Sequence, residues 1–332
     1  MGAFTGLQPL GTLNVALSNY AKAYRNNAFV SELIAPRVDV ARQSFQYVIF
    51  DRANQRNDRD VLRAPGARPQ TVRRTYSSDT YMCKSHALAA SVPFEEEQYA
   101  LGLGFSAKQN ATKLLIDRIN LAREVYVASL ARDNTKFTNY SDLSVGGSVY
   151  PWDDYQVGHS HPIVDVDNAK DLIKQSGVLA NAFIISTPVY KNLRNHPDII
   201  DRFKYTTPGA IGLAELSQVF GVPVTEAAAI VLDKSNVGSW IWGGDAVLTY
   251  TQPAPTMDDV SAMKTFNWAA APMTAGGYGV LEFPDPYLDA KTDWESVDWY
   301  WDTKVTAAET AYLFKNTVTV PAFGAIAAPT VG

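Results

Sequence analysis

Asn181-Ala182-Phe183-Ile184-Ile185-Ser186-Thr187-Pro188, with its continuation Leu193-Arg194-Asn195-His196-Pro197-Asp198-Ile199-Ile200-Asp201-Arg202-Phe203-Lys204-Tyr205, decides how this chain folds. The apolar run 182–185 has the length of a short buried strand. Ser186-Thr187-Pro188 starts a helix through Leu193, with proline in the first turn, where its missing N–H is not needed. Pro197-Asp198 opens another helix over 199–203. Upstream, the spacing predicts a helix over 166–175, with Asp165 or Asp167 as cap. Downstream come a helix over 213–220, stopped by Gly221, and a strand over 222–225. The apolar segment 227–232 reads as buried, and 240–242, 246–250 and 310–320 read as further strands. This half is therefore an α/β mixture.

Further toward the N-terminus, Ser106 to Arg132 keeps a helical apolar spacing (Ala111, Leu114, Leu115, Ile119, Ala122, Val125, Tyr126, Leu130) for about seven turns. Glu95, Glu96 and Glu97 belong to a short turn or helix ahead of it, set off by Gly102 and Gly104. Residues 139–155 read as a loop between units, and 14–24 as a short helix. Phe45, Tyr47 and Ile49 alternate as a strand, whereas 52–70 has almost no large apolar residues and holds Pro65-Gly66 and Pro69. A second extended arm runs from Thr71 to about Val92. Arms of roughly 15 residues reach about 50 Å at ~3.3 Å per residue. A lone hairpin is marginal in water, so this excursion is either floppy or lies on another chain. Residues 278–283 and 297–301 read as a strand pair around an acidic loop.

The 332 residues, 46% hydrophobic and 19% charged, suggest about two domains and exclude disorder, collagen-like repeats and coiled-coil rods. Cys83 is the only cysteine, which excludes an internal disulfide and a cysteine-built zinc site. The first basic residue is Lys22, so no signal peptide is expected, and no apolar run approaches the ~18 residues that cross a bilayer. A net charge of -5 argues against wrapping nucleic acid through a basic face.

That charge is unevenly placed. Between Arg37 and Arg74 lie nine arginines, no lysine and four aspartates, a net +5. Between Glu282 and Asp302 lie seven acids against Lys291, a net -6. Two solvated loops would explain this. So would complementary surfaces on neighbouring subunits, and the choice of arginine, whose guanidinium forms forked bonds to carboxylates, favours that reading. The expected interface is Arg52, Arg56, Arg59, Arg63, Arg68, Arg73 and Arg74 against acids among Glu282, Asp285, Asp289, Asp293, Glu295 and Asp298.

Catalytic signatures are missing: no G-x-S-x-G, Walker A, G-x-G-x-x-G or H-E-x-x-H occurs. His159-Ser160-His161, near Asp153, Asp154, Asp165 and Asp167, is the metal candidate, since alternate residues of a strand share a face. Gly158 and Pro162 mark a loop there instead. Cys83 sits in an extended arm, not at a helix N-terminus that would stabilise a thiolate, and reads as a small buried thiol. Trp240, Trp242, Trp294, Trp299 and Trp301 could line a sugar site, but their alternation fits sheet packing better. No cofactor, metal or catalytic residue is expected.

The order of elements resembles the tailed-bacteriophage major capsid proteins of the Hong Kong 97 fold. The resemblance rests on the stretch 164–224, including Leu213-Ala214-Glu215-Leu216 and Phe220-Gly221-Val222, and extends over essentially the whole chain. It implies an α+β capsid fold with four parts. They are an N-terminal arm (1–36), an extended loop and its arms (37–92), a peripheral domain (93–150 and about 266–304, with a spine helix at 106–132) and an axial domain (151–265 and about 305–332). It further implies a non-enzymatic subunit, forming pentamers and hexamers of an icosahedral head around double-stranded DNA without sequence-specific contacts. Portal, a separate scaffolding chain and a cement protein would be its partners, the virion its location after assembly in the host cytoplasm. The extended loop would lie over the spine-helix region of the adjacent subunit. Some relatives crosslink a loop lysine to a neighbour's asparagine, but no lysine lies between Lys22 and Lys84, so non-covalent contacts or a cement protein would have to hold the mature shell. An encapsulin-type compartment is the alternative within the fold. A metal- or sugar-binding enzyme built on the His159/His161 loop is the alternative outside it.

Overall fold

A computed structural model describes residues 12–13, 29–49, 62–69, 71, 77–144, 150–156, 158–203, 211–235, 237–274, 277–284 and 291–320. The N-terminal part supplies β1 (Thr12–Leu13), α1 (Ser31–Ile34), β2 (Arg37–Val40), β3 (Ser44–Ile49), β4 (Ser77–Met82) and β5 (Lys84–Pro93). Two helices follow, α2 (Phe94–Gly102) and α3 (Ala107–Ala131), then β6 (Asn139–Asp142). The middle holds α4 (Pro162–Lys174), β7 (Ala182–Ser186), α5 (Thr187–Arg194), α6 (Pro197–Phe203), α7 (Leu213–Phe220), β8 (Val224–Ala227), β9 (Ile230–Leu232), β10 (Gly238–Trp240) and β11 (Ala246–Thr249). The remaining strands are β12 (Met263–Trp268), β13 (Gly279–Pro284), β14 (Thr292–Val305) and β15 (Ala311–Lys315).

Two sheets carry the mass. In one, the order is β6-β15-β11-β7-β8, and Trp152, Val166, Ile173, Phe183, Leu216 and Phe220 fill the core beside it. In the other, the order is β1-β13-β14-β12-β2, and β5 also pairs with β14 along ten residues. The pairs β3/β4 and β9/β10 stand apart as two-stranded sheets.

The long helix α3 joins the two sheets. Ser106 caps its start, accepting from the Gln109 N–H, while Glu97 accepts from the Ser106 hydroxyl and the Lys108 N–H. The helix forms as expected, but its buried stripe is shifted from the one the spacing suggests. Leu115 and Ile119 are buried, Leu114, Ala122, Val125 and Tyr126 are exposed, and Ile116, Val127, Ala128 and Ala131 complete the inner face. Leu115, Ile116 and Ile119 pack on Val280, Val297 and Trp299 of the β13/β14 sheet, and Val127, Ala128 and Ala131 join the core around Trp242, Met263 and Leu313. The helix is therefore a strut with one half in each core.

Between those halves lie two buried charges. The Glu124 carboxylate accepts from the backbone N–H of Val30 (3.2 Å) and Ser31 (2.8 Å) and from Trp242 Nε1 (2.7 Å). Arg123 donates to the Ala35 carbonyl (2.9 Å) and Thr265 Oγ1 (3.3 Å), with its guanidinium over the Trp299 ring. Glu124 thus caps α1, and Arg123 fixes the entry to β2.

Several expectations shift in detail. The helix expected over 166–175 begins at Pro162, with proline in the first position, and neither Asp165 nor Asp167 caps it. Asp165 accepts from Trp152 Nε1 instead. Residues 139–142, read as loop, form β6 because they pair in parallel with β15. The strand expected over 240–242 ends at Trp240, and Trp242 is buried in the turn by its bond to Glu124. The strand expected over 310–320 is β15 alone, while 227–232 contains β9 of a hairpin. Of the second arm, only β4 pairs with β3; after Cys83 the chain joins the large sheet as β5. Apart from the turn at Lys291, the acidic stretch is strand rather than loop where it is described, since β14 runs unbroken for 14 residues. Gly221 does stop α7, at φ +63. The helix expected over 14–24 lies outside the described residues.

Replacing Glu124 with alanine strands three buried donors. The Glu124→Ala subunit is expected to lose on the order of 3 kcal/mol or more in urea unfolding, with Glu124→Gln losing less because it keeps one acceptor.

Candidate assembly interface

The base of the extended loop is a small sheet with little to hold it alone. β3 and β4 pair from Ser44↔Met82 to Ile49↔Ser77, and most of their residues are exposed. Tyr47, Tyr81 and Cys83 anchor the base, packing with Phe266, Val38 and Val40. Tyr81 stacks on Phe266 at 4.5 Å between ring centres. The Cys83 Sγ donates to the Phe266 carbonyl (3.4 Å), and burial pushes its thiol up to about 12. Such a thiol is inert.

Beyond that base, residues 62–69 are exposed throughout, Arg63 and Arg68 included. Arg52, Arg56, Arg59, Arg73 and Arg74 lie outside the described residues, as do Asp285 and Asp289. The described acids sit on the large sheet and have a different geometry from a solvated loop. Glu282 on β13 stands directly opposite Glu295 on β14. Lys108, in the first turn of α3, reaches both Glu282 and Asp293, the latter at 2.8 Å. Burial opposes the Lys108 charge, but hydrogen bonds to Asp293 and Glu282 hold its ammonium well above the usual range. Asp298 accepts from the Ser296 hydroxyl.

Glu295 is the exception in this group. Along β14 the odd positions 295, 297, 299, 301 and 303 are buried, and Glu295 occupies a place that the pattern gives to an apolar side chain. It is fully buried, and neither carboxylate oxygen has a hydrogen-bond partner. Burial, reinforced by the Glu282 charge, pushes the Glu295 carboxyl up to about 7. Lys108 opposes this, while Asp293 and Glu97 add to it. The folded subunit therefore holds a proton that the unfolded chain releases near pH 4.5.

Next to this cluster, α2 is unusual for a surface helix. Ala100 is its only buried residue, yet Phe94, Tyr99 and Leu101 are exposed, and so are Leu103 and Phe105 in the turn that follows. Glu95 and Glu96 are exposed beside them.

The enzymatic alternatives are not assembled by the fold. His159 pairs with Asp154 (2.8 Å) and stacks on Tyr150, whereas His161 pairs with Asp198 (3.0 Å). The two imidazoles thus have separate partners, and no group of three or more His, Cys, Asp or Glu that could hold a metal occurs among the described residues. Trp299 and Trp301 are buried in sheet packing. An open cleft of about 850 Å³ lies among Arg132, Trp240, Gly243 and Asn316, but the Arg132 guanidinium there is bonded to Asp245 and the Ile241 carbonyl. No described helix is long and apolar enough to cross a membrane.

Two buried ionisable side chains escaped the sequence reading. Glu295 carries a signal, an acid on the buried phase of an alternating strand, but only once β14 is recognised as continuous. Lys264 is the other. It is buried on β12 with its ammonium on the carbonyls of Thr256, Met257 and Asp259, and burial pushes it down to about 8.

No family model matches the chain. It is 25% identical, over 250 residues, to the major capsid protein of Burkholderia phage BcepMu, a match covering 74% of this chain and 78% of that one. A phage-related protein of Bordetella bronchiseptica RB50 shares its structure with a TM-score of 0.74 and 23% identity, covering 92% of this chain and 98% of that one. The capsid of cyanophage P-SCSP1u matches with a TM-score of 0.57 at 9% identity, covering 95% and 92% respectively.

Two outcomes are expected from these geometries. Because the raised carboxyl stabilises the fold most below about pH 4.5 and its contribution is lost as pH rises to about 7, Glu295→Gln should remove that fall from the unfolding free energy measured across this window. An identical pH dependence in both proteins would refute the assignment. Cys83 should resist iodoacetamide in the folded subunit and react fully in denaturant, as read by mass spectrometry.

Proposed function

We propose that this chain, a relative of phage major capsid proteins with the Hong Kong 97 capsid fold, is the shell subunit of an icosahedral phage head. In this reading it forms pentamers and hexamers that enclose double-stranded DNA without sequence-specific contacts, and it performs no catalysis. Portal, scaffolding and cement chains are its expected partners. The virion is its location.

The observation that carries this reading, beside the likeness to capsid subunits, is the exposure of the loop's described residues. A two-stranded base exposed along most of its length, leading to the exposed residues 62–69, makes no core of its own. A protein that keeps so long a basic excursion needs a surface on another copy to hold it. Arginines 52, 56, 59, 63, 68, 73 and 74 are then the positive half of a contact between subunits. Without a loop lysine, that contact is non-covalent.

Electron microscopy of the protein expressed alone and with its scaffolding chain should show closed particles or capsomers tens of nanometres across. Reversing Arg52, Arg56, Arg59 and Arg63 together to glutamate should leave a folded subunit, by circular dichroism, that no longer closes shells. Normal particles from that variant would overturn the role given to the loop. A purified shell filled with host protein rather than nucleic acid would move the assignment to an encapsulin-type compartment.

A further inference from the structure

His196 lies between α5 and α6, and both of its ring nitrogens are in use. Its Nδ1 accepts from the backbone N–H of Asp198 (3.2 Å), and its Nε2 lies 3.2 Å from the Ser160 hydroxyl. Both residues are sealed from water, His196 at 2% exposure and Ser160 at 5%. An amide N–H can only donate, so Nδ1 carries no proton and the neutral ring holds its single hydrogen on Nε2, aimed at Ser160. In that tautomer the ring cannot take the hydroxyl's proton, so the pair is no nucleophile and base. It is a tie between two segments: the loop ahead of α4 on one side and the first turn of α6 on the other.

We propose that His196 is an acid-sensitive latch, whose protonation frees loop residues 158–161 from the corner between α5 and α6. Protonation places a hydrogen on Nδ1, where the Asp198 N–H already points. Two donors then face each other in a site closed to water, and the bond to Asp198 is lost while a charge is buried.

The groups around the ring set the direction. Burial opposes the charged form and pulls His196 below the usual histidine value of 6.5. Of its charged neighbours, the Asp198 carboxylate favours protonation and His161 opposes it. Those two are paired with each other (3.0 Å), so a proton on His161 tightens its own hold on Asp198. Tyr155 meets the His196 ring edge-on at 5.6 Å and turns its hydroxyl to Asn192, while His159 is paired with Asp154. Of the three histidines around this loop, only His196 loses a bond on becoming charged. The folded ring binds its proton less readily than the unfolded one. The latch therefore contributes above about pH 6.5, and its contribution is lost as pH falls below that value. Glu295, in the other sheet, acts in the opposite sense, so global unfolding mixes the two and a local readout is needed.

Hydrogen exchange read by mass spectrometry on the full chain supplies that readout, at about pH 7.5 and about pH 5, with rates scaled to the intrinsic exchange at each pH. Exchange over 158–161 and 198–200 is expected to rise on the order of tenfold at the lower pH, with β7 unchanged as the internal standard. His196→Gln keeps one acceptor and one donor but does not titrate, so it should abolish the acid response, whereas His161→Gln should retain it. Nitrogen NMR of the unmodified protein gives a second measurement that needs no variant. It should find His196 as the Nε2–H tautomer at neutral pH, titrating together with the loss of protection. An Nδ1–H tautomer, protection unchanged by acid, a response that survives His196→Gln or one abolished by His161→Gln would each overturn the latch. The latch belongs to the subunit's own fold, so its failure leaves the shell reading intact.

Discussion

Arg123 and Glu124 are neighbours on one helical turn, both buried, and each is bonded to a different part of the molecule. Removing charges from water is expensive, and an interior carboxylate persists only where donors surround it. Glu124 has three, from the start of α1 and from Trp242; Arg123 has a carbonyl, a hydroxyl and an aromatic face. The N-terminal chain, the β12/β14 sheet and the turn before β11 are thereby registered on the same few ångströms of α3. Apolar packing along the helix supplies most of the adhesion, but it would tolerate sliding. The two charges do not.

The charge pattern of the whole chain divides in the same way. Its acids do two jobs that composition alone cannot separate. Glu282 and Asp293 neutralise Lys108 and tie the N-terminal end of α3 to the sheet, whereas Glu95 and Glu96 face solvent on α2. Glu295 sits between these groups with neither donor nor solvent, and keeps its proton near neutrality instead. The neighbourhood of α3's first turn is therefore a place where one proton changes the local charge balance.

Much of this architecture was legible from spacing. The extent of α3, the β7–α5–α6 succession and the stop at Gly221 follow from local rules, since period, proline placement and left-handed glycine act within a few residues; which face of α3 is buried does not, because two cores share it. What stayed hidden was set by partners far along the chain. β6 and β12 are strands because β15 and β14 lie beside them, and β12 carries Asn267, which donates to Asp39, an acceptor that no local window contains. The arm ending near Val92 divides at Cys83 for the same reason, since β14 claims its second half. Of the proposed interface, the charge clusters were visible in composition, but their surroundings were not, because a run of acids on a pleated strand alternates between a buried phase and an open one.

β2 pairs with β12 across more than two hundred residues, and β5 with β14 across about two hundred, so the large sheet is assembled from distant parts of the chain, with four of the five strands of the other sheet between them. During synthesis, the ribosome delivers the loop arms and α2 first and the strands that support them last. At roughly 5–20 residues per second, about 10–40 s separate the emergence of β5 from that of β14. Until then, β5 has no strand beside it, and a prematurely ended chain carries its ten residues as an unpaired edge.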